Sequence, residues 1–129
     1  MIAGGAIFVT GNNVNITDSE FENCNVSMTI AQTNKTYSNG GGAIYVFGDY
    51  SNIVNCTFDN STGREGGVIY VQGHDVTIDK ANSTASSALY GGAIFVEGLN
   101  SIISNSTLVN SNATYSGGGV FIEGNNADI

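Results

Sequence analysis

One eight-residue phrase recurs five times along this chain. It reads GGAIFVTG at Gly4–Gly11, GGAIYVFG at Gly41–Gly48, GGVIYVQG at Gly66–Gly73 and GGAIFVEG at Gly91–Gly98, with a worn copy, GGGVFIEG, at Gly117–Gly124. The copies start 37, 25, 25 and 26 residues apart. A period in that range marks a solenoid, because each unit is too small to bury its own apolar face and does so only by stacking on its neighbours.

Counting from the glycine that closes each phrase exposes columns of like residues. Ile16, Ile53, Ile78 and Ile103 stand at +5; Ser19, Cys56, Ala81 and Ser106 at +8; Phe21, Phe58, Ser83 and Leu108 at +10; Asn23, Asn60, Ala85 and Asn110 at +12. The columns at +7, +9 and +11 are mostly polar, so the stretch alternates with period two, as a strand with one buried face does. Within the phrase, Ile7/Val9 and their equivalents point one way, Phe8 and its equivalents the other. The β-branched column is assigned to the interior, since such side chains stack well at strand spacing. The aromatics then form an outer ladder with roughly 4.8 Å per rung. The expectation is an all-β fold: a right-handed parallel β-helix of about five coils of roughly 25 residues, one repeat domain over 1–129. The 12 extra residues before Gly41 fit a loop pushed out around 27–39. The Asn column at +12 is expected to turn inward as a ladder of stacked amides. Ser83 and Ala85 mark the third full coil as the weakest.

Composition narrows the partners. The chain has 129 residues with 18 Gly and no Pro or Trp, and its eleven acidic side chains face three basic ones, Lys35, Arg64 and Lys80, for a net charge of −8. Nucleic acids and anionic membranes need clustered cations and are disfavoured. No apolar run approaches the roughly 20 residues that span a bilayer. The first phrase follows Met1 almost at once and the last copy ends at Ile129 inside its second strand. We therefore expect an internal piece of a longer polypeptide, without caps, and carrying no signal peptide of its own. Cys24 and Cys56 sit at +13 and +8, out of register for a disulfide, and are expected to be free thiols.

GGAI followed by an aromatic and Val, then an Ile–x–N–x–x–F stretch, resembles the β-helical repeats of adhesin-like surface proteins of methanogenic archaea. It is also similar in style to the GGAI and FxxN repeats of chlamydial polymorphic outer-membrane proteins. GGAI stands at Gly4, Gly41 and Gly91, with Val replacing Ala after Gly66–Gly67, whereas FxxN is replaced by FEN and FDN at Phe21 and Phe58. That departure, and the want of a transporter barrel in the sequence, argue against the chlamydial group. The resemblance covers essentially the whole chain. It implies a non-catalytic, secreted or cell-surface repeat that serves as a stalk, as a scaffold binding carbohydrate or another cell's surface, or as both, with no cofactor.

Candidate chemistry is sparse. Phe8, Tyr45, Tyr70, Phe95 and Phe121 form the best binding candidate, because stacked rings dock sugars; the alternative is that the column faces the core or lies under loops. Eight N–x–S/T sequons start at Asn15, Asn25, Asn34, Asn55, Asn60, Asn82, Asn105 and Asn112. An inward Asn60 would be closed to glycosylation, while Asn34, Asn55 and Asn105 remain candidates. Glu22 and Asp59 share the +11 column and are the weak candidates for a hard cation; no metal site is otherwise expected. Many parallel β-helices cleave acidic polysaccharides, so the competing reading is a piece of a pectinase-like enzyme whose active-site coils lie elsewhere. Such sites need converging Asp with a basic residue, and here Arg64 is isolated, His74–Asp75 is a single corner pair and Cys56 is a core position.

Overall fold

The computed structural model describes residues 4–26 and 40–129. Among them every regular element is a β-strand, in the order β1 (Ile7–Thr10), β2 (Asn15–Thr17), β3 (Glu20–Glu22), β4 (Ile44–Phe47), β5 (Asn52–Thr62), β6 (Ile69–Gln72), β7 (Thr77–Tyr90), β8 (Ile94–Glu97), β9 (Ile102–Ser104), β10 (Thr107–Ser116) and β11 (Val120–Glu123). Among the described residues no helix is long and apolar enough to cross a membrane. The glycine phrases build one five-stranded parallel sheet, β1-β4-β6-β8-β11, and the segments between them build a second, β10-β7-β5-β2, with β3 on β5 and β9 on β7. Each strand pairs with its own repeat one coil away: Ile44 with Ile69, Ile69 with Ile94, Ile53 with Ile78. The result is a β-solenoid of about three turns rather than the five expected. Among the described residues the long wall strand runs unbroken in β5 and β7, is divided into β9 and β10 in the next coil and into the short β2 and β3 in the first, and the last phrase adds β11 and a bridge from Asp128 to Ile102.

First-coil pairings keep an offset of 37 residues as far as Asn25 opposite Thr62, so the extra residues fall after Asn25. The loop expected around 27–39 lies outside the described residues.

The interior matches the column reading. Ile44, Val46, Ile69, Val71, Ile94 and Val96 from the phrase sheet meet Ile53, Cys56, Phe58 and Ile78 from the wall in one buried cluster. The wall strands are bent, not straight. Thirteen non-glycine residues have positive φ, and they fall at +2, +7 and +12, so a corner recurs every five residues: Tyr50, Asn55, Asn60; Asp75, Lys80, Ala85; Asn100, Asn105, Asn110. Ten of the thirteen are Asn or Asp, the side chains that tolerate this left-handed conformation, and this explains the asparagine content. Each five-residue side then turns two side chains inward.

The +12 asparagines are a correction. A left-handed corner throws its side chain outward, and Asn23, Asn60 and Asn110 are exposed. Amide ladders do form, but on the outside, with Asn60 Nδ2 donating to Asn23 Oδ1 at 2.8 Å. The donor sits in the later coil throughout: Asn52 to Asn15, Asn55 to Asp18, Asn100 to Asp75 and Asn126 to Asn100.

The third full coil departs from the pattern twice. Ser83 is buried between Phe58 and Leu108 with no partner for its hydroxyl, and a buried hydroxyl left unpaired costs about 1–3 kcal/mol. Ala85 holds φ 56° with no side-chain acceptor to favour it. Ala85→Asn is therefore expected to stabilise by about 1 kcal/mol, removing most of a left-handed alanine's strain and completing the amide column between Asn60 and Asn110. A higher Tm in a thermal melt checks it.

Candidate functional site

The aromatic column stands on the outer face of the phrase sheet, because alternation that sends Ile44 and Val46 inward sends Tyr45 outward. Ring centroids follow one another at 5.1 Å from Phe8 to Tyr45, 4.7 Å to Tyr70, 5.1 Å to Phe95 and 4.9 Å to Phe121. The column is nevertheless closed in its middle: Tyr45, Tyr70 and Phe95 are 1%, 1% and 5% exposed, and Phe8 alone is open, at 47%. Tyr90, at the end of β7, packs against this second cluster with its ring tilted against those of Phe121 and Tyr115. Three of the five residues expected to dock a sugar therefore present no free ring face. The column works mainly as a second apolar core on the outside of the sheet.

Its hydroxyls are spoken for as well. Tyr45 Oη donates to Gln72 Oε1 at 3.1 Å and Tyr70 Oη to Glu97 Oε2 at 2.8 Å, each acceptor being the residue before the closing glycine one coil on. Burial pushes the Tyr70 hydroxyl far above its ordinary pKa, and the bond to Glu97 adds to it. Tyr45 is raised first by burial, then by Glu97 and Glu65. Glu65, on the corner before β6, has its carboxyl raised chiefly by burial, with repulsion from Glu97 and Glu123 adding and Arg64 opposing.

That shift has a sign that can be measured. A carboxyl whose folded pKa lies above its unfolded value binds protons more tightly in the native state. Stability from Glu65 is then present at acid pH and lost as pH rises through the folded pKa. Asp79 works the other way in a lower window, since hydrogen bonds from Asn105 and Ser104 hold its carboxyl below the ordinary range. The expected result is a Tm that falls as pH rises above the ordinary carboxylate range, with Glu65→Gln flattening that fall.

The other candidates are structural in their contacts. Glu22 and Asp59 do lie in register, but Asp59 Oδ1 accepts from Thr84 Oγ1 at 2.5 Å. No third His, Cys, Asp or Glu joins the pair among the described residues. His74 donates its backbone N–H to Asp49 Oδ1 at 2.8 Å and accepts the Leu99 N–H on Nδ1 at 2.9 Å, which leaves its ring proton on Nε2. It continues a column in which Asn12 Oδ1 caps the Asp49 N–H. Cys56 is buried in its column with Ala81, Cys24 is half-buried, both are free, and burial pushes both thiols up. Raised thiols make poor nucleophiles.

Among the sequons, Asn55 and Asn105 are exposed corners whose Nδ2 groups donate to Asp18 at 2.6 Å and Asp79 at 2.7 Å. Asn60, expected to be closed, is exposed too. Asn34 lies outside the described residues. Column-by-column reading missed Phe47 and Tyr50, which are 49% and 56% exposed. Phe47 shares the outer face of β4 with Tyr45 and sits opposite Thr10, diagonal to Phe8. The signal was the aromatic standing where other coils have Thr, Gln or Glu. Compared with protein-family models, curated proteins and solved structures, the sequence and fold find no match in any of the three.

Proposed function

We propose that this is a non-catalytic, extracellular or cell-surface repeat domain of the adhesin-like type, whose main work is that of a stalk. One observation carries the reading. Each Asp from Asp18 to Asp79 accepts a hydrogen bond from the following coil: Asn55 on Asp18, the His74 N–H on Asp49, Thr84 on Asp59, Asn100 on Asp75, Asn105 on Asp79. The carboxylates a polysaccharide-cleaving β-helix would gather on one face are instead distributed at and beside the corners, each joining its coil to the next. Exposed Asn, Ser and Thr with an acid excess suit an exported surface, and the sequons at Asn55 and Asn105 suit glycan attachment there. Any contact with a glycan falls to the open aromatic pair Phe8 and Phe47 rather than to the buried rungs.

Incubating the purified chain with acidic and neutral polysaccharides tests this. We expect no release of reducing ends, and retention on a glycan surface, where it occurs, to be lost in Phe8→Ala. Release that survives repurification and disappears in Arg64→Ala would replace the stalk with an enzyme.

A further inference from the structure

None of the eight sequons falls within a glycine phrase, so the phrase sheet carries none, and the amides of the others are not equivalent in the fold. Asn55, Asn60 and Asn105 stand at left-handed corners, and each commits its Nδ2 to the preceding coil: to Asp18 at 2.6 Å, to Asn23 at 2.8 Å and to Asp79 at 2.7 Å. Those amides tie coil to coil. Asn82 does not. It stands in the middle of one side of β7, between the corners at Lys80 and Ala85, and is exposed with no hydrogen-bond partner for its side chain among the described residues. Thr57 and Thr107 lie in register on either side of it, so its exposure owes nothing to the ends of the chain. Asn15, Asn25 and Asn112 also leave Nδ2 unpaired, but each has a described coil on one side only.

We infer that Asn82 is the seat of an N-linked oligosaccharide, which the folded solenoid carries without giving up a bond between coils. The inference rests on the exported, cell-surface reading above. Thr84, the hydroxyl residue of this sequon, shares the outward face of β7 with Asn82, while Ser83 between them points inward and is buried. The donor is a sugar linked to a polyisoprenyl phosphate. Its anomeric C1–O bond to phosphate breaks and the bond from C1 to Asn82 Nδ2 forms. The polyisoprenyl phosphate leaves, and the Nδ2 proton passes to a base of the transferase. β7 is paired with β5 on one edge and with β10 on the other, so a transferase cannot lift Asn82–Thr84 out of the closed sheet. Attachment therefore precedes closure of the coil, and what the fold decides is whether the finished coil tolerates the sugar. At Asn82 it does, because the amide points to solvent and holds nothing together. The glycan is then fixed to the wall, across the buried core from the phrase sheet on which Phe8 and Phe47 stand.

Secretion of the chain through a eukaryotic export pathway tests this, with an added signal peptide in front and a control sequon on a flexible tail behind. Enzymatic release of the glycans in heavy-oxygen water converts each occupied Asn to a labelled Asp, which peptide mass spectrometry then maps. Asn82 is expected to be occupied in most of the secreted, folded chain, and Asn82→Gln to remove that glycan alone. The glycosylated chain is expected to melt at or above the temperature of Asn82→Gln from the same host. Made in a host without the transferase, the two should melt together, since Asn82 has no bond to lose. An empty Asn82 beside a filled tail sequon overturns the site, and so does a glycosylated chain that melts below Asn82→Gln. Neither result touches the non-catalytic surface reading, which the release of reducing ends decides.

Discussion

Ile78→Asp is expected to melt the middle of the solenoid, with a loss of about 4 kcal/mol or more, as an unpaired charge in a closed interior brings. Ile78 has no exposed surface and lies in register between Ile53 and Ile103. Its surroundings are hydrocarbon: Phe58, Cys56, Ala81, Val71 and Val96 belong to the same cluster. Nothing in the column offers a cation, since Arg64, Lys35 and Lys80 are the whole basic complement and Lys80 stands on an outward corner. Ile78→Val serves as the control and should cost only ~1 kcal/mol. Because a solenoid is held by nearest-neighbour contacts, the damage is expected to spread to the coils on each side and to lower cooperativity as well as Tm. Circular dichroism melts of the two variants check both statements, and an unchanged melt for Ile78→Asp would place the isoleucine column on the outside.

Gly67→Ala is expected to cost at least ~3 kcal/mol, the upper end of overpacking, because the obstacle is backbone rather than a side chain that can turn away. A Cβ on Gly67 would fall inside the van der Waals radius of Gly92 O and within 2.8 Å of Ser87 N and Ser87 O. Coils cannot separate to make room, since the pairing of β6 with β8 fixes them. Gly118 holds the same place in the last phrase, yet a Cβ there meets nothing nearer than Ser111 O at 3.9 Å. No coil lies above it among the described residues. Gly118→Ala should therefore be close to neutral. The difference between two chemically identical substitutions, read as two melting curves, isolates the coil-on-coil approach as the reason for the glycines.

The repeat period, the parallel stacking and the inward Ile/Val and Ile columns were legible in the sequence, because a side chain that alternates with period two and recurs every coil has only one way to be buried. The asparagine ladder was legible as a ladder but given the wrong side. Amides that stack look alike in sequence whether they point in or out, and only the backbone at Asn60, with φ 50°, sends them to solvent. The five-residue corner spacing was present in Asp18, Asn23, Asn55 and Asn60, yet Tyr50, Lys80 and Ala85 interrupt it. The outer position of Phe8, Tyr45, Tyr70, Phe95 and Phe121 followed from alternation alone. That Tyr45 and Tyr70 are closed over did not, since the cover comes from residues far along the chain, among them Tyr90 at the end of β7. Sequence periodicity determines which side of its own strand a residue occupies. What lies against that side is decided only when distant segments pack, and here that decision turned a candidate sugar platform into a second apolar core.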